Sequence, residues 1–192
     1  MGEARHCSSF EKGSVRTGQK VLVNGAGGSF GTFAVQLAKV FGAEVTAVDS
    51  TGKLEVLRSI GADRVVDYTQ QDFTESAETY DIIFDVVGTS PFSRSVRSLR
   101  RSGRALLANP GLSQLVRGLW TSMTSNKNVI FGAGSGTSED LAFLRELIEA
   151  GKVRSVIDRH YPLEHLADAH RYVETGQKIG SVVTTVAHDS KA

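Results

Sequence analysis

Short runs of apolar, mostly β-branched residues alternate along this chain with segments in which apolar residues recur every three or four positions. This alternation predicts strand–helix–strand units that stand side by side in a parallel sheet. The predicted strands of the sheet are residues 20–24, 44–49, 64–67, 80–87, 103–108 and 128–133. The hydrophobic pattern therefore predicts an α/β fold built on a doubly wound, parallel, six-stranded sheet.

Glycines and capping residues mark the ends of the predicted helices. The first helix spans residues 30–41, and the second spans residues 53–60; each is followed by a glycine, which helix C-termini favour. A third helix follows the capping sequence at Thr137 and ends at Gly151. The pattern then changes, and it predicts a strand at 153–157, a helix that starts at Pro162 and a closing strand at 181–186.

The charge balance narrows the classes of partner. The 192 residues contain 22 Lys and Arg against 21 Asp and Glu, a formal net charge of +1, so neither a nucleic acid nor a membrane is the expected partner. Cys7 is the single cysteine, which excludes an internal disulfide and suits a reducing compartment. No apolar run approaches the roughly 20 residues that span a bilayer. We therefore expect a cytoplasmic protein with a small-molecule ligand.

The stretch that follows the first predicted strand offers two chemistries. Residues 27–31 read G-x-S-x-G, the nucleophile elbow of serine hydrolases, in which the strand runs directly into the motif. Here Asn24, Gly25 and Ala26 intervene, and only about twenty residues precede the strand, which leaves little chain for an oxyanion-hole loop. The sequence thus argues against a hydrolase, although His160, His165 and His170 could nominally complete a triad.

The second chemistry is dinucleotide binding. It requires a strand, a glycine turn, a helix N-terminus and an acidic residue about 20 positions further on. Gly25, Gly28 and Gly31 supply the turn with G-x-x-G-x-x-G spacing rather than G-x-G-x-x-G, and Asp49 ends the second strand. Small residues let the backbone approach a diphosphate, and the N–H groups and dipole of the helix N-terminus favour the anion. We therefore predict a Rossmann-type cofactor domain.

Taken in order, these segments resemble one family. The stretch "GQKVLVNGAGGSFGTFAVQLAKVFGAEV", with "YDIIFDVVG" and "VIDRHYPLEHLADAHRYVETG" later, is similar to the medium-chain dehydrogenase/reductase superfamily, and most of all to its zinc-independent quinone oxidoreductase-like branch. The resemblance runs over residues 13–186. It implies an NAD(P)-dependent oxidoreductase that transfers hydride to or from a quinone, an enone or a carbonyl/alcohol substrate, without zinc and with no catalytic or metal-binding residue assigned in this chain.

The resemblance also implies a set of cofactor-binding residues. The glycine turn binds the diphosphate, the end of the second strand binds the adenosine ribose, and the ends of the later strands lie beside the nicotinamide half of the cofactor. The residues in these three groups are Gly25, Gly28, Ser29, Phe30 and Gly31; then Asp49, Ser50, Lys53 and Tyr68; then Val87, Gly88, Ala108, Asn109, Phe131 and Gly132.

The choice between NAD and NADP stays open in the sequence. The Asp49 carboxylate would accept hydrogen bonds from a ribose 2′-hydroxyl and repel a 2′-phosphate, which favours NAD. Ser50, Lys53 and Tyr68 are, by the resemblance, the kinds of residue that hold a 2′-phosphate, which favours NADP. Asp49 and Lys53, which give opposite indications, stand only four positions apart in the chain.

The resemblance divides the chain into three parts. Residues 1–13 form an irregular N-terminal segment, residues 14–151 the dinucleotide-binding domain, and residues 152–192 a strand–helix–strand segment that returns to a GroES-like catalytic domain with no counterpart in this chain. The expected protein binds the cofactor, has little activity alone, and forms a homodimer through the last Rossmann strand. A non-catalytic nucleotide-binding module and an S-adenosylmethionine methyltransferase are the alternative functions.

Overall fold

The computed structural model describes residues 15–88, 92–108, 127–131 and 137–186. Eight strands lie in this part of the chain: β1 (Lys20–Asn24), β2 (Glu44–Asp49), β3 (Arg64–Asp67), β4 (Tyr80–Asp85), β5 (Leu99–Leu107), β6 (Asn128–Phe131), β7 (Ile157–Pro162) and β8 (Ser181–Thr185). Five α-helices accompany them: α1 (Ser29–Val40), α2 (Leu54–Ser59), α3 (Phe92–Arg97), α4 (Ser138–Glu149) and α5 (Leu166–Glu174). Short 3-10 turns occupy Thr51–Lys53, Phe73–Glu75 and Leu163–His165.

The first six strands form one sheet in the order β3-β2-β1-β4-β5-β6, and every pairing between neighbours is parallel. The order reverses between β1 and β4, and open α/β sheets bind ligands beyond the carboxyl ends of the strands at such a reversal. The predicted α/β fold with six parallel strands is confirmed. The glycine turn leaves β1 at this reversal point.

Alternation along β1 and β2 places apolar side chains on both faces of the sheet. Val21 and Val23 pack with helices α1 and α2 on one face, and Leu22 packs on the other face with Phe73 and Tyr80. Residues at successive strand positions point to opposite faces, so a strand covered on both sides reads as a continuous apolar run. This is why the sheet was visible in the hydrophobic pattern.

The C-terminal segment forms a second, parallel two-stranded sheet of β7 and β8, with α5 between them. It is attached to the large sheet through α1. The buried side chain of Gln36 donates to the Arg154 carbonyl at 3.0 Å and accepts from the Arg154 N–H at 2.8 Å. Gly180 pairs with Gly28 in an isolated parallel bridge, and its N–H donates to the Gly27 carbonyl at 2.7 Å.

One predicted strand is wrong. Residues 153–156 form no strand, and β7 begins only at Ile157. Val153 is 1% exposed and packs against Leu37 and Leu147, while the backbone of Arg154 pairs with the Gln36 side chain instead of a neighbouring strand. The apolar residues of this stretch belong to the core without belonging to a sheet.

Other boundaries moved by a few residues. Strand β4 ends at Asp85 rather than residue 87, because the Asp85 carboxylate accepts from the N–H groups of Val87 and Gly88 and turns the chain. Strand β5 begins at Leu99 rather than residue 103, and it contains an irregular register opposite β4. The predicted strand end at residues 132–133 and the predicted segment at residues 1–13 lie outside the described residues. The domain boundaries at 13 and 151 stay predictions.

Candidate dinucleotide-binding site

The glycine turn starts with a residue that must be glycine. Gly25 has φ +81°, and a Cβ added there would lie 2.2 Å from Cγ2 of Val87. The N–H groups of Gly25 and Ala26 both donate to the Val48 carbonyl, at 3.0 and 3.1 Å, which fixes the turn to strand β2. The turn is therefore held between the ends of β2 and β4, at the reversal point of the sheet.

The other two glycines of the motif differ in whether a side chain would fit at their position. A Cβ on Gly31 would lie 2.2 Å from the Gly25 carbonyl oxygen and 2.6 Å from backbone atoms of Ala26, so this glycine lets α1 pack onto the turn. A Cβ on Gly28 would meet nothing closer than 3.6 Å. Packing within the protein therefore explains Gly31, whereas a Cβ on Gly28 would make only an ordinary contact.

The N-terminus of α1 has no side-chain cap among the described residues. Gly28 is the N-cap, in an extended conformation, and the first turn of the helix, at Ser29, Phe30 and Gly31, carries no acidic residue. Helix α4 shows the contrast, since Thr137 and Asp140 form a complete capping box at its N-terminus. An uncapped N-terminus presents backbone N–H donors and the positive end of the helix dipole, which suits an anion.

Asp49 lies at the end of β2 with its carboxylate turned onto the glycine turn. Its Oδ2 accepts from the Gly27 N–H at 2.7 Å, and its Oδ1 accepts from the Ser50 N–H at 2.9 Å. The Lys53 ammonium lies 3.3 Å from Oδ1, and the side chains of Asp49 and Lys53 are 7% and 12% exposed, respectively. Asp49 is thus a buried, paired carboxylate that closes the turn.

Lys53 also connects the site to the C-terminal segment. Its Nζ donates to the Gly176 carbonyl at 3.1 Å, and its stem crosses Gly27, where an added Cβ would lie 2.5 Å from Cδ of the lysine. Gly27 was not among the predicted site residues. Its position inside the G-x-S-x-G pattern was visible in the sequence, but its contacts with Asp49 and Lys53 are tertiary.

A cleft of about 640 Å³ opens beside the turn, within the range of small-molecule and cofactor sites. Six predicted residues line it: Gly25, Gly28, Asp49, Lys53, Tyr68 and Val87. Five more residues complete the lining: Asn24, Asp72, Phe73, Val86 and Gly176. The structure therefore brings together predicted residues from the ends of β1, β2 and β3 and from the turn after β4.

The remaining predicted residues lie around the cleft or outside the described chain. Phe30 is 74% exposed at the start of α1, and Ser50 contributes its N–H to Asp49. The Ala108 N–H donates to the Asp85 carbonyl at 3.0 Å at the end of β5. Phe131 is the last residue of β6, and Asn109 and Gly132 lie outside the described residues.

Asp85 and Asn24 are site residues that the sequence did not indicate. The Asn24 amide donates to Asp85 Oδ1 at 3.0 Å, and both side chains are buried. The same Oδ1 accepts from the N–H groups of Val87 and Gly88, at 3.2 and 2.9 Å. A buried carboxylate therefore shapes the turn that carries two of the predicted nicotinamide-side residues.

Ser29 makes contacts that do not belong to a nucleophile. Its hydroxyl donates to the Gly180 carbonyl at 2.9 Å and accepts from the Lys178 ammonium at 2.9 Å, and none of its hydrogen bonds within the described residues involves a histidine. A serine nucleophile requires a base within hydrogen-bond reach. The geometry agrees with the argument against a hydrolase.

Lys178 was also missed by the sequence analysis. Burial lowers the pKa of its ammonium, and the positive charge of Lys53 lowers it further, against an opposing effect of Asp158. Asp72, another acidic residue of the cleft lining, forms an ion pair with Arg94 at 3.2 Å. Burial raises the pKa of Asp72, but hydrogen bonds from Thr74 and Arg94 outweigh it and the net pKa lies below the ordinary value. Lys178 therefore places a positive charge beside the turn, at Ser29.

No group of three or more His, Cys, Asp or Glu side chains in residues 15–88, 92–108, 127–131 and 137–186 could hold a metal ion. None of the helices in that same part of the chain is long and apolar enough to cross a membrane.

Comparisons with known proteins give relatives of this architecture. The chain is 36% identical over 178 residues to the 2-methylene-furan-3-one reductase of Solanum lycopersicum, a match that covers 91% of this chain and 42% of that protein. It is 36% identical over 182 residues to the chloroplastic NADPH-dependent alkenal/one oxidoreductase of Arabidopsis thaliana, covering 90% of this chain and 43% of that protein. The chain thus spans less than half the length of these two relatives.

A solved structure and a family model agree with them. The quinone oxidoreductase of Coxiella burnetii superposes with a TM-score of 0.83 at 26% identity, over 93% of this chain and 56% of that one. The family model described as zinc-binding dehydrogenase matches residues 60–184. These matches contradict the methyltransferase alternative. The chain belongs to the zinc-binding dehydrogenase family, in the quinone oxidoreductase-like branch of the medium-chain dehydrogenase/reductase superfamily.

Proposed function

We propose that this chain binds NADPH in preference to NADH, as the cofactor-binding part of an oxidoreductase. The observation that carries the proposal is the state of Asp49. An NAD-selective site of this type leaves its acidic residue available to the ribose 2′-hydroxyl. Here the Asp49 oxygens already accept from Gly27 and Ser50, and Lys53 lies 3.3 Å away. A 2′-phosphate would therefore meet an ammonium group beside a compensated carboxylate.

The surroundings of Lys53 support the same choice. Tyr68 lies in the cleft lining beside Lys53 and is 60% exposed, so its hydroxyl can reach a phosphate at the rim. Two hydroxyls nearby are already engaged, because Thr51 and Thr69 donate to Asp67. The hydrogen bond from Thr51, with that from Thr69, holds the pKa of Asp67 below its ordinary value. We assign Lys53, Tyr68 and the Ser50 hydroxyl to the 2′-phosphate.

The other predicted residues keep the roles that the family resemblance gave them. We propose that the N–H groups of Ser29, Phe30 and Gly31 bind the diphosphate. The residues assigned to the nicotinamide half of the cofactor come later in the chain. They are Val87, Gly88, Ala108, Asn109, Phe131 and Gly132. In this assignment the buried Asp85 holds the turn at Val87 and Gly88 in place.

The reaction proposed is reduction of a carbon–carbon double bond conjugated to a carbonyl, or of a quinone. The two plant relatives are named for a 2-methylene-furan-3-one and for alkenals and alkenones, which share that bond system. The bound nicotinamide would supply the hydride. The residues of this chain bind and orient the cofactor in the cleft. We keep the zinc-free reaction and a cytoplasmic location as predictions, tested by metal analysis of the purified protein and by cell fractionation.

A fluorescence titration tests the cofactor preference. We expect NADPH to bind at least about tenfold more tightly than NADH, since a charge-assisted hydrogen bond contributes about 1.5–3 kcal/mol. Lys53→Met should remove most of this preference, whereas Lys152→Met, at an exposed lysine away from the cleft, should leave it unchanged. Tighter binding of NADH by the unaltered protein would contradict the proposal, and binding of neither cofactor would contradict the whole function.

Turnover and assembly are separate proposals. We infer that the chain alone reduces a simple quinone or enone only slowly, because the described cleft holds the cofactor-binding groups and its charged side chains, Asp49, Lys53 and Asp72, are in ion pairs. A steady-state rate typical of enzymes, median about 10 s⁻¹, would refute this. We also propose a homodimer through β6, which is the last strand in the order of the sheet and so offers an edge for pairing. Analytical ultracentrifugation that shows only monomer at high concentration would refute the dimer.

A further inference from the structure

The Lys178 ammonium lies against the glycine turn. Its Nζ donates to the Ser29 hydroxyl at 2.9 Å and to the Gly180 carbonyl at 2.6 Å. Ser29 is the first residue of α1 and adjoins Gly28 in the cleft lining, and Gly176, two positions before Lys178, also lines the cleft. A side chain from the C-terminal segment therefore reaches the position where a dinucleotide diphosphate meets the turn.

The Lys178 ammonium forms no close ion pair within the described residues, although the Asp158 carboxylate acts on it at longer range. Among the described residues, no carboxylate lies within 4.0 Å of its ammonium, whereas Lys53 has Asp49 at 3.3 Å and Lys39 has Asp63 at 2.8 Å. Its two partners are a hydroxyl and a carbonyl, both neutral. A half-buried ammonium is costly unless an anion accompanies it. An anion bound beside Lys178 would therefore stabilise its ammonium.

The charge is not needed to attach the C-terminal segment. The Gly180 N–H donates to the Gly27 carbonyl at 2.7 Å, and the Ser29 hydroxyl donates to the Gly180 carbonyl at 2.9 Å. Gly180 itself is fixed by its close approach to Val156, where an added Cβ would lie 2.2 Å from the carbonyl oxygen. These contacts hold the segment on the turn without the ammonium, so an attachment role leaves the charge unexplained.

We propose that Lys178 binds the diphosphate of the nicotinamide dinucleotide, reaching it from the C-terminal segment while the N–H groups at the start of α1 bind it from the glycine turn. The inference rests on the proposed function and adds a residue to it. It divides the phosphates between two lysines: Lys53 takes the 2′-phosphate and Lys178 takes the diphosphate. An ammonium donates well to phosphate oxygens and acts on them as a point charge.

Two fragments of the cofactor separate these roles. Adenosine 5′-diphosphate carries the diphosphate without a 2′-phosphate, and adenosine 2′-monophosphate carries the reverse. Isothermal titration calorimetry with each fragment should show that Lys178→Met weakens binding of the 5′-diphosphate about 10- to 100-fold, the loss expected for one charge-assisted hydrogen bond. It should change binding of the 2′-monophosphate less than twofold. Lys53→Met should show the opposite pattern, and Lys152→Met should change neither.

A second measurement does not depend on how well the neutral variant folds. Reductive methylation with ¹³C-formaldehyde labels the lysine side chains, and the Lys178 resonance is identified by its absence in Lys178→Arg. We expect this resonance to move when adenosine 5′-diphosphate is added and to stay in place with the 2′-monophosphate. The charge-conserving Lys178→Arg should retain most of the affinity for the 5′-diphosphate.

The possible failures are distinguishable. If the unaltered protein binds neither NADPH nor the 5′-diphosphate, the proposed function fails and this inference fails with it. If it binds NADPH but Lys178→Met leaves the affinity for the 5′-diphosphate unchanged, only the role of Lys178 is overturned. An equal loss for both fragments, or a Lys178 resonance that ignores the 5′-diphosphate, would likewise show that Lys178 only supports the structure.

Discussion

Gly31→Ala should weaken both the fold and cofactor binding, because one methyl group would separate α1 from the turn beneath it. The added Cβ would lie 2.2 Å from the Gly25 carbonyl oxygen and 2.6 Å from the Cα and carbonyl carbon of Ala26. Ordinary contact begins at 3.4 Å, so the shortest of these distances must grow by more than an ångström. The atoms met are backbone, which no change of rotamer can move. The helix must shift, and with it the N–H groups at its start.

The size of the effect follows from two opposing contributions. Overpacking of a well-packed site costs about 1–3 kcal/mol and occasionally more. Alanine is favoured over glycine in a helix interior by up to about 1 kcal/mol, an advantage that is smaller in the first turn. We expect a net loss of about 2 kcal/mol in the free energy of unfolding. With a urea dependence of about 2 kcal/mol per molar, the unfolding midpoint should fall by about 1 M.

Urea unfolding followed by far-ultraviolet circular dichroism measures the first effect, and NADPH titration measures the second. Gly52→Ala is the matched control, because Gly52 is exposed and a Cβ there meets nothing within 4 Å. The control should change stability by no more than about 0.5 kcal/mol. NADPH affinity should fall about tenfold for Gly31→Ala, since the binding N–H groups are displaced. A Gly31→Ala protein with the stability and affinity of Gly52→Ala would refute the packing argument.

Two further changes test the scaffold around the site. Burial raises the pKa of the Asp63 carboxyl, but the hydrogen bonds from Lys39 and the Val45 N–H and the charge of Lys39 together outweigh it, so the net pKa lies below the ordinary 3.8. The stability that Asp63 contributes is present above about pH 3.8 and is lost as the pH falls through the lower folded pKa. Asp63→Asn should therefore cost about 1 kcal/mol at neutral pH and flatten the loss of stability between about pH 5 and pH 2; an unchanged acid profile in urea titrations would contradict this. Gln36→Leu leaves the N–H and carbonyl of Arg154 unpaired and should cost about 1–3 kcal/mol, whereas Gln71→Leu, at an exposed position, should be near neutral; equal midpoints for the two leucine variants would show that the Gln36 pairing contributes nothing.

The sheet was predictable because its information is local. Each strand of a doubly covered parallel sheet is a continuous apolar run, and each intervening helix carries an apolar face, so order and type follow from the pattern. The wrong strand prediction at residues 153–157 also follows from this dependence on the local pattern. Val153 packs against Leu147 and Leu37 in the core. No feature of the neighbouring sequence distinguishes such a residue from one in a buried strand. The Gln36 amide, 118 residues away along the chain, takes the hydrogen bonds that a neighbouring strand would have used.

The position of the candidate site could be predicted from the sequence, but the contacts within it could not. The spacing of Gly25, Gly28 and Gly31 located the turn, and the end of β2 located Asp49, since both depend on short segments of chain. The partners of those groups come from far away. Lys178 is 149 residues from Ser29, and Gly180 is 151 residues from it. Only the folded chain shows that the C-terminal segment contacts the glycine turn.

The opposition between Asp49 and Lys53 changes meaning once their geometry is known. Read along the sequence, the carboxylate favours NAD and the ammonium favours NADP, as if each faced the ribose separately. The structure places them 3.3 Å apart and nearly buried, with the carboxylate also accepting from Gly27. They act as one ion pair, in which the carboxylate fixes the glycine turn and orients the lysine. In the proposed assignment the carboxylate is occupied within the pair, so a 2′-phosphate would meet the Lys53 ammonium, while Lys178 places a second positive charge beside the glycine turn, where the diphosphate would lie.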